Sequence, residues 1–119
     1  MRATAAAVER TLGRPGGGVI RYDGDTYAGG NPWVLAALWL GLYRRQIGDL
    51  DGHARSLMYA NRVATPLELL PEQVTDDGEP VWVVPLAWSH AMLVLAARPE
   101  LEAVRAVSAG ARSPVQVGN

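Results

Sequence analysis

At 119 residues the chain is about one domain long, and with 49% hydrophobic against 19% charged residues it is too oily for a disordered segment. The net charge is −1 and all eleven basic residues are arginines scattered from Arg2 to Arg112, so no basic stripe serves nucleic acid or an anionic membrane. The absence of cysteine excludes a disulfide scaffold and a thiolate metal site.

Residues 2–12 place Ala3, Ala6, Ala7, Val8 and Leu12 near one face, a helical period that Gly13 and Pro15 close. Glu9 and Arg10 interrupt what a secretory signal would keep apolar, which favours a cytoplasmic location. The stretch GRPGGGVIRYDGDTYAGGN follows, a long glycine-rich connection holding Val19, Ile20, Tyr22 and Tyr27. Connections of that length with such side chains are more often sites than spacers.

Asn31-Pro32 is a helix-start signal, with asparagine as the cap and proline at the first helical position. The helix runs to about Gly48, and its apolar residues, Trp33 to Leu40 and then Leu42 and Tyr43, go all the way round, which predicts a buried helix. Its apolar run, PWVLAALWLGLY, stops at Arg44, short of the roughly twenty residues a membrane span needs. Asp51 can cap a further helix over about 52–63, amphipathic with Ala54, Leu57, Met58 and Ala60 as its apolar positions.

From about 72 to 84 two short extended pieces joined by DDG read as a hairpin, with Glu72 at its open end. Pro85 begins another nearly all-apolar helix, PLAWSHAMLVLAA, and a weaker helix over about 100–109 precedes a frayed tail. Four or five helices and little else indicate an all-α architecture. Two of them are oily on every face in a chain too short to surround both, so apolar surface is left for other polypeptide to cover.

Chemistry is sparse by elimination. His53 and His90 have no carboxylate at ligand spacing, so no metal site is expected, and His90 reads as a satisfied core histidine. GRPGGG cannot be a phosphate loop in a chain without lysine, and no cofactor is expected. What remains is Arg21, Asp25 and Tyr27 in one loop, Glu72 and Gln73 in another, and Trp33 and Trp88 at two helix starts. Arginine forks, carboxylates and flat aromatic faces suit a sugar, whose hydroxyls need polar partners and whose C–H face stacks on rings.

Taken in order, IRYDGDTYAGGNPWVLAALWL, LLPEQV and PLAWSHA resemble the closing part of glycoside hydrolase family 15, the glucoamylase family, in its bacterial and archaeal form. The resemblance covers residues 1–97; residues 98–119 would be a weak helix and tail. It implies a partial (α/α)6 barrel, about the last third of the toroid, and an exo-acting hydrolase that releases glucose from non-reducing ends of α-glucans with inversion. By that resemblance Glu72 is the general base, and Gln73 contacts the attacking water or the sugar. Arg21 grips hydroxyls of the terminal glucose, Asp25 orients Arg21, Tyr27 and Trp33 line the pocket, and Trp88 packs beside the base.

The family's general acid lies upstream of the arginine loop, and no counterpart precedes Arg21 here. The expectation is therefore that Met1 is internal to a longer reading frame or that the chain is a natural truncation, and that the isolated chain is inactive. The expected partners are an α-glucan or oligosaccharide and the missing N-terminal part of the barrel. Trehalase or glucodextranase activity is the alternative within the enzyme class; outside it, the alternative is a non-catalytic helical module that binds a partner or a glycan.

Overall fold

The computed structural model describes residues 2–98. The helix expected over 100–109 and the tail lie outside the described residues. In chain order the elements are α1 (Arg2–Leu12), a 3-10 turn (Tyr27–Gly29), α2 (Val34–Gln46), α3 (Leu50–Val63), β1 (Gln73–Val74), β2 (Pro80–Val81) and α4 (Ala87–Ala97). The fold is mostly helical with a minimal two-stranded antiparallel ladder, which pairs Gln73 with Val81 and Val74 with Pro80.

The core lies where α2 meets α3 and α4. Val34, Leu35, Ala37, Leu38 and Gly41 of α2 are buried, facing Tyr59, Ala60 and Val63 of α3 and Met92 and Ala96 of α4; Val19, Leu70 and Val74 complete the cluster. Gly41 permits the close crossing of α2 and α3, because a Cβ there would stand 2.6 Å from the Ser56 Cβ. Each fully buried aliphatic side chain contributes about 1.5–3 kcal/mol, so this small cluster is the main favourable term.

Three expectations need correcting. The α2 start is not capped by Asn31, whose side-chain amide instead donates to the Ala28 carbonyl at 2.8 Å; the helix begins at Val34, after the Trp33 N–H has bonded the Val19 carbonyl at 2.8 Å. The α3 cap is Asp49 rather than Asp51: its Oδ1 accepts from the Gly52 N–H at 2.8 Å and the helix starts at Leu50. The inward face of α3 is Gly52, Ser56, Tyr59, Ala60 and Val63, while Ala54 and Met58 face out. Of the expected apolar positions Ala60 is buried and Leu57 packs against the core, while the small polar Gly52 and Ser56 line the tight crossing in place of Ala54 and Met58.

The oily helices are covered on one side only. Trp39 of α2 is 48% exposed, and on α4 Trp88, Val94 and Leu95 are 44–53% exposed while Ser89, Met92 and Ala96 are buried. Within residues 2–98, then, α2 is not surrounded. α1 has no fully buried residue; Val8 and Leu12 touch the core, and Glu9 meets the Arg44 guanidinium of α2 at 2.5 and 2.9 Å.

Candidate functional site: an arginine fork and the Glu72 hairpin

Local backbone pairing brings three separate stretches together. Val19 bridges to Gly13 on one side and to Trp33 on the other, and Trp33 in turn bridges to Gln73. The start of α2 is thereby stitched between the glycine-rich loop and the hairpin. Glu72 is held through its backbone from both sides: its N–H donates to the Val83 carbonyl at 2.9 Å, and its carbonyl accepts from the Val34 N–H at 3.2 Å.

The segment before Glu72 is clamped by α4. The buried Ser89 hydroxyl donates to the Pro71 carbonyl at 2.9 Å, and His90 Nε2 accepts from the Leu70 N–H at 2.9 Å. His90 is thus the satisfied histidine expected of it. Neither clamp has a local sequence signal, since the partners lie 18 and 20 residues apart.

In the loop, Arg21 and Asp25 form a two-pronged pair, with Nε to Oδ2 and Nη2 to Oδ1 both at 2.7 Å. The Asp25 side chain is fully covered and also accepts from the Tyr27 N–H at 3.0 Å. The Arg21 guanidinium holds the Asp25 carboxyl down at about 2, against an ordinary 3.8, with the Tyr27 N–H adding to the effect. That guanidinium lies over the rings of Tyr27 at 4.6 Å, Trp33 at 4.9 Å and Tyr22 at 5.4 Å, a cation held among aromatic faces. Gly30 makes the loop possible: at φ +69° it is in the left-handed region, and a Cβ would run into the Asp25 carbonyl.

Arg21, Asp25, Tyr27 and Trp33 are therefore one contact cluster, with Gln73 joined to Trp33 through the backbone bridge. Glu72 Oε2, both side-chain polar atoms of Gln73 and the Trp33 indole N–H are all buried without a hydrogen-bond partner among the described residues. Gln73 itself is completely buried. Trp88 is 53% exposed and packs edge-on against Trp39, with ring centres 5.6 Å apart.

A groove of about 640 Å³ runs between α1 and α2, lined by residues such as Val8, Leu12, Leu40 and Tyr43, with Arg21, Trp33 and Trp88 on its wall. Its lining is almost wholly apolar, and Glu72 and Gln73 do not line it. That is a surface for packing, since sugar hydroxyls would find few partners there. Among the described residues no group of three or more histidines, aspartates or glutamates could hold a metal ion, and no helix is long and apolar enough to cross a membrane.

No protein-family model matches the chain. It is similar to an uncharacterised glycosyl hydrolase of Methanocaldococcus jannaschii, 34% identical over 108 residues that take in 80% of this chain and 18% of that protein. It is also similar to an isomaltose glucohydrolase of Kribbella flavida, 34% identical over 106 residues, 79% of this chain and 27% of that protein. Among solved structures it superposes on a wild-type glycosidase with a TM-score of 0.71 at 32% identity, covering 81% of this chain and 29% of the other. These likenesses support a glycoside hydrolase domain. A glutamate-to-alanine variant of a glycosidase, solved in complex with glucose, matches with a TM-score of 0.72 at 31% identity. The chain spans under a third of the length of each of these hydrolases, and its helical fold is compatible with part of a helical glycosidase domain.

Proposed function

We propose that the chain carries the water-activating side of an inverting, exo-acting α-glucosidase of the glucoamylase type, glycoside hydrolase family 15, acting on an α-glucan or oligosaccharide. The observation that carries this reading is the group of buried, unpartnered polar atoms on Glu72, Gln73 and Trp33 beside the Arg21–Asp25 fork. Burying such atoms without hydrogen bonds costs about 1–3 kcal/mol each, and proteins keep that arrangement where a ligand or water completes it. The glucose complex among the similar glycosidases supports a sugar as that ligand.

In the proposed reaction Glu72 takes a proton from a water, and the water oxygen attacks the anomeric carbon as the glycosidic C–O bond breaks. The leaving oxygen receives its proton from an acid on polypeptide beyond these 119 residues, with the two carboxyl groups roughly 6.5–9.5 Å apart. Asp25 occupies two of the five guanidinium N–H groups of Arg21, and the others serve hydroxyls of the terminal glucose. Tyr27 and Trp33 offer ring faces, and Gln73 orients the water or the sugar. Further barrel helices would cover the groove between α1 and α2 and the outer face of α4, placing Trp88 inside the assembled domain.

Loss of general acid catalysis alone removes about 10²–10⁴-fold in rate, so the 119 residues by themselves should not turn over substrate. Combined with the polypeptide that supplies the acid, Glu72→Gln should abolish glucose release while leaving glucose binding within a few-fold of the parent. Near-normal release by that variant would remove Glu72 from the mechanism. Release by the isolated chain would place both catalytic groups within it and overturn the proposal of a second polypeptide segment.

A further inference from the structure

Trp82 is used neither by the core nor by the mechanism just proposed. Its side chain is 63% exposed, yet its backbone sits at φ +70°, in the left-handed region that disfavours bulky residues. Strain of this kind persists where the surroundings hold the residue in place. Here the surroundings are the site. Val81 pairs with Gln73, the Val83 carbonyl accepts the Glu72 N–H, and the Trp82 ring meets the Tyr27 ring edge-on, with centres 5.7 Å apart and planes at 72°. Tyr27 in turn lies beneath the Arg21 guanidinium.

These groups form a gradient of depth. The Asp25 side chain is fully covered, the Arg21 side chain is 32% exposed, Tyr27 is 43% exposed and Trp82 63%. In the exo-acting reading the terminal sugar lies at the buried end of this gradient and the next sugar towards solvent. An exposed indole at the outer end presents a broad, rigid apolar face to the C–H side of a hexose.

We infer that Trp82 is a specificity-determining residue, the stacking platform for the second hexose of an α-linked disaccharide, outside the sugar gripped by Arg21. The inference rests on the sugar site argued under Proposed function. It extends that reading to a residue which the sequence motifs did not single out, and it makes discrimination between a disaccharide and a monosaccharide depend on one indole.

Trp82→Gly is the decisive variant, because glycine is at ease at φ +70° and the ring is lost without new backbone strain. Dissociation constants of the 119-residue chain for isomaltose and for methyl α-glucoside are measured by ligand-observed saturation-transfer NMR, which does not need Trp82 as the reporter. The expected result is isomaltose binding about five- to tenfold weaker with methyl α-glucoside unchanged, a melting temperature no lower than the parent's, and recovery of most of the loss in Trp82→Phe. Equal weakening for both ligands, or no change for either, overturns the stacking role while leaving the site reading intact. Failure of the parent chain to bind either sugar overturns the site reading, and this inference with it.

Discussion

Arg21 and Asp25 face each other as a closed fork, both contacts at 2.7 Å, with the carboxylate covered and the guanidinium one-third open. The buried partner fixes the direction of the fork, and the open one leaves guanidinium N–H groups that the carboxylate does not occupy.

The fork makes the site acid-sensitive. Asp25 is lowered to about 2 from an ordinary 3.8, so its contribution to stability is fully present above about pH 4 and is lost as the pH falls through about 2. A carboxyl carbon titration by NMR should give Asp25 a midpoint near 2, moving back up towards the ordinary value in Arg21→Ala. Asp25→Asn should remove this part of the acid transition and weaken sugar binding at neutral pH; an unchanged acid melt in Asp25→Asn would show the fork to be energetically idle.

Ser89→Ala should cost about 1–3 kcal/mol, since the Pro71 carbonyl would lose the buried hydroxyl that donates to it. Chemical denaturation measures that loss directly. Because Pro71 precedes Glu72, sugar affinity should fall as well, whereas Ala91→Ser, an exposed change on the same helix, should leave both properties near the parent values.

Gly41→Ala should destabilise by about 1–3 kcal/mol through overpacking against Ser56, despite alanine's better helix propensity. Adding Ser56→Gly opens the crossing again. The double variant should lose less than the sum of the two single losses, and strict additivity in denaturation midpoints would mean that the two positions do not press on each other.

The outward rings and aliphatic chains of α2 and α4, namely Trp39, Trp88, Val94 and Leu95, form the kind of surface that seeks a cover. Light scattering of the isolated chain should report self-association, reduced by Val94→Glu with Leu95→Lys. A parent chain that stays monomeric across the micromolar range would contradict this.

Much of the architecture was legible in the residues. The first helix, the long apolar helices and the hairpin after Glu72 follow from periodicity, glycine placement and the DDG turn, although the apolar helices begin at Val34 and Ala87 rather than at Pro32 and Pro85. The caps were harder. Asp49 and Asp51 have the same side chain two residues apart, and only the path of the preceding turn, in which the Asp49 N–H bonds the Arg44 carbonyl, brings Asp49 over the free amides of α3.

The candidate site divides along the same line. By residue type alone, the chain declared two polar loops with an arginine, carboxylates and rings, in an otherwise oily protein, and hence a chemistry suited to sugars. Whether those loops meet was decided by backbone bridges running from Val19 through Trp33 to Gln73, contacts that no local pattern encodes. The inward faces of α2 and α4 were likewise a tertiary matter. A helix apolar all round carries almost no directional preference of its own, so its orientation is set by the neighbours against which it packs.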